Sequence, residues 1–302
     1  GGVVSKNNLI FKDTFLNNYV TATRHANGRD WWIIAMRNYR PHHYVWLLDP
    51  QGFHFQGLQE IGEYSLHGLE AQVAFSADGS KFINTWPSGL FIYDFDRCTG
   101  LLSNPVNIPY DSTYNASGGV VTSANSRFLY FFGIKKIWQY DFWATDFKAS
   151  RQTVAVYDGF VSPKPTGFFQ AMLAPNGKIY SVSTGTNNVL HVIHHPDEPG
   201  MACEVEQHGV ILPALTGFLI PNMTNYRLGA LAGSPCDSLT VSAAEPQPHR
   251  YEPAGLDVYP NPATEEVNFE QLSAYAGLGG RLTLSDVTGR VVAAAAFQPG
   301  ES

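Results

Sequence analysis

His42-His43, His191, His194-His195 and His208 are the side chains with the plainest chemical potential in this chain, because a neutral imidazole is a common metal ligand. On a strand, His191 and His195 would share one face and His194 the other. No carboxylate follows at a ligand spacing. Exposed or hydrogen-bonded strand-end residues account for the same pattern, so neither a metal nor a cofactor is expected. Asp94-x-Asp96 could open a calcium loop, but the further acidic position and the closing glutamate are missing, and an ordinary turn explains it.

Nucleophilic catalysis of the Gly-x-Ser-x-Gly type has no motif here, and Ser88-Gly89 and Ser117-Gly118 read as turn dipeptides. Hydrolysis of a glycosidic bond needs two carboxyl groups that approach in space, and these can come from distant parts of a chain. Glu60, Glu63, Glu70 and Asp158 qualify by type, yet no context sets one apart. Trp31-Trp32, Trp46, Trp86, Trp138 and Trp143 could build an aromatic platform for a carbohydrate. Aromatic residues at matching repeat positions also serve core packing, which is the expectation for Trp46 and Trp138. Trp86 and Trp143, off the repeat register and near loops, are the better binding candidates.

The three cysteines, Cys98, Cys203 and Cys236, are an odd number, so at least one is unpaired or has its partner elsewhere. Cys203 could pair with Cys236. Three buried thiols acting as small hydrophobes explain the residues equally well. No two lie close enough for a Cys-x-x-Cys redox or zinc motif.

The elements that must position these groups are β-strands. Charged residues make up only 15% of the chain, while 28 Gly, 19 Pro, 15 Tyr and 19 Phe favour short strands joined by tight turns. The 44% hydrophobic content is that of an ordinary packed globule. With a net charge of -7 and no run of Lys or Arg, nothing builds the footprint that nucleic acid or an anionic membrane requires. No apolar run approaches the roughly 20 residues needed to cross a bilayer. Gly1-Gly2-Val3-Val4-Ser5 has neither an initiator Met nor a signal pattern and reads as a processed or cut terminus.

A repeat orders the body. Turns at Asn27-Gly28, Asp78-Gly79, Asn125-Ser126 and Asn176-Gly177 each lead into an apolar strand, and second strands end at Asp49, Asp94, Asp141 and His194. Asn-Gly and Asp-Gly are strong hairpin signals. Both markers keep a period of about 50 residues, which with several strands per unit is the mark of a β-propeller. The turn is expected to join the two middle strands of each blade. Leu9-Ile10-Phe11 is expected as a strand, and residues 201–238 as a further partial blade, so residues 1–238 make four to five blades. Residues 239–254, rich in Pro and polar side chains, form a semi-rigid linker. Residues 255–302 then show short alternating strands, which predict a small β-unit.

That last unit opens with Val258-Tyr259-Pro260-Asn261-Pro262-Ala263, continues through Val267 and Phe269, and carries Asp286-Val287-Thr288-Gly289-Arg290-Val291-Val292 as a hairpin. It resembles the C-terminal sorting domain of type IX secretion cargo in Bacteroidetes. The resemblance implies an Ig-like, β-sandwich module whose sorting signal includes Tyr259, Pro260, Asn261, Pro262, Asp286, Gly289 and Arg290. The partners it implies are the type IX translocon and a sortase-like peptidase. It also implies further strands beyond Ser302. The stretches His25 to Trp32, Asp94 to Gly100 and Gly233 to Asp237 resemble secreted propeller proteins that carry such tails, which implies a chain beginning before Gly1 and a secreted or outer-membrane-surface location. The expected function is binding of a glycan or protein through loops at one mouth. The alternative is a secreted propeller hydrolase acting on polysaccharide, and a scaffold with short polar loops is a third reading.

Overall fold

Each repeat Asn or Asp folds back on its own backbone. Asn27 Oδ1 accepts from the amides of Arg29 (2.9 Å) and Asp30 (3.0 Å), and Asp78 Oδ1 from Ser80 (3.0 Å). Asn125 Oδ1 accepts from Arg127 (2.9 Å) and Asn176 Oδ1 from Lys178 (3.1 Å). These Asx turns reverse the chain locally, without help from distant residues. Gly28 has a φ of 73°, and a Cβ there would also lie 2.5 Å from the Ala230 amide, so both conformation and close approach require glycine.

The computed structural model describes residues 6, 9–37, 40–63, 72–86, 89–109, 118–217, 220, 224–237, 256–259, 268–271, 280–285 and 291–297. The turns build four four-stranded antiparallel sheets in sequence order. The first holds β1 (Phe15–Arg24), β2 (Trp31–Arg37), β3 (His42–Asp49) and β4 (Gly52–Glu60). The second holds β5 (Val73–Phe75), β6 (Lys81–Trp86), β7 (Gly89–Phe95) and β8 (Leu102–Pro109). The third holds β9 (Gly119–Thr122), β10 (Phe128–Phe132), β11 (Lys136–Asp141) and β12 (Gln152–Val156). The fourth holds β13 (Phe168–Leu173), β14 (Ile179–Ser183), β15 (Asn187–Ile193) and β16 (Val205–Thr216). First strands of successive sheets adjoin, β1 with β5, β5 with β9 and β9 with β13. The fold is all-β and β-propeller-like.

Burial follows position in the sheet. β9 and β10, covered on both faces, are buried throughout and read as continuous apolar runs, whereas β12 and β16 are largely exposed. Aromatic and branched side chains fill the gaps between sheets. Trp32, Phe82 and Tyr93 pack between the first and second, and Phe131 stacks on Trp138 with centroids 5.5 Å apart between the second and third. Phe128, Phe168 and Cys203 lie between the third and fourth. Each such aromatic ring contributes roughly 1.5–3 kcal/mol through burial.

Several expectations need correction. The Asx turn joins the first and second strands of each sheet, not the middle pair, because β1 precedes Asn27 and β2 follows it directly. Leu9 and Ile10 are exposed and lie outside any strand, while Phe11 packs on Tyr44 at 4.8 Å. No fifth blade forms among the described residues. Residues 205–216 pair with β15 as the last strand of the fourth sheet, and 224–237 supply turns without strands.

The disulfide also differs from expectation: Cys236 joins Cys98, with Cα atoms 5.5 Å apart, and not Cys203. Cys203 is sealed in the core beside Tyr130, where burial pushes its thiol up to about 11. Cys98 lies in the turn between β7 and β8, where the segment 224–237 arrives.

Residues 1–239 form one unit and 240–302 a second. In the second, β17 (Leu256–Tyr259) pairs antiparallel with β18 (Asn268–Gln271), and β19 (Gly280–Ser285) with β20 (Val291–Phe297). Among the described residues no helix is long and apolar enough to cross a membrane.

Candidate ligand-binding cavity

A cavity of about 390 Å³ lies where the first strands converge. Thr21 to Thr23 of β1, Val120 to Thr122 of β9 and Ala171 to Leu173 of β13 contribute its walls, with Gln72 and β5 between them. Thr, Ala and Val predominate where these strands approach closely, with Phe75, Met172 and Leu173 as larger apolar members. Gln72 holds three strands together: its Oε1 accepts from Val120 N (3.1 Å) and Ala171 N (3.0 Å), and its Nε2 donates to Ala171 O (2.7 Å).

The segment 224–227 crosses the cavity at the end where the Asx turns lie. Asn225 repeats the turn chemistry, with Oδ1 accepting from Arg227 N at 3.1 Å, while its Nδ2 donates to Ala77 O at 2.8 Å. Arg227 lines the cavity and donates from Nη1 to Pro175 O at 3.1 Å. Tyr226, 71% exposed, presents its ring at the mouth, 5.2 Å from the Trp31 ring. The Arg24 guanidinium sits 4.2 Å over Trp31 and donates to the carbonyls of Gly28, Arg29 and Tyr226. The mouth therefore combines an open aromatic ring with the Arg227 guanidinium, while Arg24 braces Trp31 and the Tyr226 backbone beside it.

Arg97 fixes the rest of this segment. It is buried, and desolvation pulls its pKa down. Its donors reach Arg24 O (2.9 Å), Asp78 O (3.3 Å), His25 O (3.3 Å) and Gly229 O (2.5 Å). Leu231 N adds a bond to Ala26 O at 2.8 Å, and the Cys98–Cys236 bond closes the strap. The stretches around His25, Cys98 and Cys236 thus meet in space: His25 Nε2 lies 3.1 Å from Cys98 O, and Cys236 is bonded to Cys98.

Among the described residues, the cavity lining contains no Asp, Glu or His, and Arg227 is its one charged side chain. The exposed Tyr226 ring and the few hydroxyl and amide groups set in largely apolar walls can hold a ligand that is both polar and apolar. They offer no carboxylate pair for acid–base work on a glycosidic bond.

The sequence-expected groups lie elsewhere. Trp143 is 69% exposed in the turn after β11, with the Arg127 guanidinium 4.9 Å from its ring, and takes no part in the cavity. Trp86 ends β6 opposite Gly89, and its side chain lies outside the described residues. Tyr259 ends β17 opposite Asn268. Pro260, Asn261, Pro262, Asp286, Gly289, Arg290 and Glu70 lie outside the described residues. Trp46 and Trp138 are buried in the core.

Glu60 sits 3.5 Å from His42, and Glu63 accepts from Asn107. Asp94 pairs with Lys81, and Asp96 caps its own turn at Cys98 N and Thr99 Oγ1. Asp158, His208 and Thr166 form a row with the residue types of a catalytic triad, His208 Nε2 being 2.8 Å from Thr166 Oγ1 and Nδ1 3.7 Å from Asp158. Thr166 is fully buried and already donates to Phe160 O at 3.0 Å, so its hydroxyl meets no substrate. His191 is buried with Nε2 2.8 Å from Thr166 O, and burial lowers it to about 4. His194 and His195 pair with Glu206 and Glu204. Among the described residues no group of three His, Cys, Asp or Glu side chains could hold a metal.

Gln72, Tyr226 and Arg227 were missed in the sequence because nothing marks them there. The one available signal was Asn225-Tyr226-Arg227, an Asx turn without a following apolar strand, which indicates a turn used for something other than starting a blade.

No protein-family model matches the chain, and no curated protein does. Solved structures match at low identity. A putative 6-phosphogluconolactonase from Bacteroides uniformis is 15% identical over 68% of this chain and 61% of its own, with a TM-score of 0.46. One of the same description from Bacteroides fragilis is 12% identical over 68% and 60%, with a TM-score of 0.45. TolB from Acinetobacter baumannii is 13% identical over 68% and 44%, with a TM-score of 0.36. This chain spans less than two thirds of the length of each.

Proposed function

We propose that this protein is a secreted or cell-surface binding protein of β-propeller-like fold that takes a glycan at the cavity mouth marked by Tyr226. One observation carries the reading: a cavity of about 390 Å³ ends at an exposed tyrosine ring, and its largely apolar walls are interspersed with the uncharged polar side chains of Thr21, Thr23, Gln72, Thr122 and Asn225. Ring faces stack on sugar C–H surfaces, while hydroxyls and amides exchange hydrogen bonds with sugar hydroxyls. A glycan array probed with the protein should show binding that Tyr226→Ala removes and Trp143→Ala leaves intact. A blank array, or equal binding by the Tyr226 variant, overturns the reading.

Delivery by the type IX system rests on the likeness of residues 255–302 to a sorting domain. Deleting those residues from the protein expressed in a type IX-competent cell should leave the body in the periplasm. Surface delivery of the shortened protein would refute the address.

A further inference from the structure

Acidic residues outnumber basic ones in this chain, 26 to 19, so a surface arginine readily finds a carboxylate. Arg29 pairs with Asp30, Arg37 with Asp13 and Arg127 with Asp141. Arg227 in the cavity lining and Arg24 on the neighbouring Trp31 depart from that pattern. Arg24 bonds only to carbonyl oxygens, and Arg227 donates once, from Nη1 to Pro175 O. Among the described residues neither forms an ion pair, and the Nε and Nη2 donors of Arg227 have no protein acceptor. Arg227 is exposed, is among the described residues the only charged side chain of the lining, and directly follows the open Tyr226 ring.

A guanidinium whose donors are partly free and face no competing acid suits a carboxylate, which accepts two parallel hydrogen bonds from it. An adjacent ring suits the face of a sugar. From this juxtaposition we infer that the ligand of the cavity mouth is an acidic saccharide, a uronate-containing glycan, whose carboxylate is held by Arg227 while Tyr226 covers the ring. This inference rests on the glycan-binding reading above and adds the charge of the ligand.

Calorimetric titration with oligogalacturonate and oligomannuronate, each beside its carboxyl-reduced counterpart, tests the charge directly. At least one uronate is expected to bind roughly tenfold or more tightly than its reduced form, since hydrogen bonds to charged groups are the stronger kind. Arg227→Gln should abolish that advantage and Arg227→Lys keep part of it, and added salt should weaken the uronate alone. Glutarate, anionic but without a sugar ring, should not compete, and competition by it would overturn the saccharide assignment. Equal affinity for acidic and neutral forms, or binding confined to neutral glycans on the array, overturns the acidic ligand and leaves the glycan reading standing. Absence of binding to every glycan removes both.

Discussion

Cys98 and Cys236 are 138 positions apart in sequence and joined by a disulfide, which ties the strap of residues 224–237 to the turn between β7 and β8. The bond closes nearly half of the chain into one loop that holds the last strand of the second sheet and all of the third and fourth sheets. Cys203, which lies within that loop, has no part in it and is buried.

A cross-link over so long a loop restricts the unfolded chain strongly, and such bonds typically contribute about 2–4 kcal/mol. Cys98→Ser should therefore lower the stability of residues 1–239 by about that amount in urea titration. Reducing agent should destabilise the wild type similarly and leave the variant unchanged. An equal effect of Cys203→Ser on the response to reductant would show that the pairing is different.

His43 is buried between the first and second sheets, with its ring 5.6 Å from Phe82 and 5.1 Å from Tyr93. Burial holds it to about 4, the nearby His42 charge adding to the effect and the backbone at Gln59 and Pro41 opposing it. Neither ring nitrogen has a hydrogen-bond partner, so burial dominates. His191 is also lowered to about 4, by burial and by His208, against the pull of Thr166 O and Asp158. An unfolded histidine takes up its proton near pH 6.5, so between about 6.5 and 4 the unfolded chain binds more protons. Stability should be fully present above pH 6.5 and fall as the pH drops toward 4. His43→Phe should reduce the loss between pH 7 and pH 5 by about 1–2 kcal/mol. An unchanged pH slope in this variant would place the acid sensitivity elsewhere.

The turns were legible in the sequence and the cavity was not, for reasons of range. Asn27, Asp78, Asn125 and Asn176 act on amides two or three residues away, so the chemistry that sets the period lies within a few letters. The all-β class follows from composition, and the period gives the four sheets, although it also suggested a fifth that does not form among the described residues. Whether a turn opens a blade between its first and second strands or between its middle ones depends on which strands meet in the centre, a non-local outcome. The cavity walls are Thr, Ala, Val and Gln, residues that look like any strand. Trp143 was conspicuous by type but lies on Arg127 away from the cavity, whereas Tyr226 and Arg227 gain their place through distant contacts, Asn225 with Ala77, Arg97 with Gly229 and Cys236 with Cys98.

Gln72 tests whether the convergence of first strands depends on side-chain hydrogen bonds. Gln72→Ala strips acceptors from Val120 N and Ala171 N and a donor from Ala171 O, and should cost about 1–3 kcal/mol. Gln72→Glu keeps an acceptor but sets a carboxylate oxygen against the Ala171 carbonyl, so its deficit should shrink when the carboxyl is protonated at low pH. A Gln72→Ala variant as stable as the wild type in urea would mean that water or strand packing satisfies these groups without it.

Arg97 is the second anchor of the strap, and proteolysis can separate its role from general stability. Its guanidinium binds carbonyls from the first Asx turn region (Arg24 and His25), the second (Asp78) and the strap (Gly229), a geometry that the single ammonium of lysine cannot reproduce. In Arg97→Gln those carbonyls lose a buried donor and the strap is retained by Leu231 N, Asn225 and the disulfide. Trypsin can cut after Arg227 only when the strap lifts, and where opening is fast relative to cleavage the rate reports the open population. Cleavage after Arg227 should therefore accelerate in Arg97→Gln at a protease concentration that leaves the four sheets intact, and accelerate further under reducing conditions as the disulfide opens. Equal cutting of variant and wild type would show that Arg97 stabilises the first and second sheets without holding the strap over the cavity.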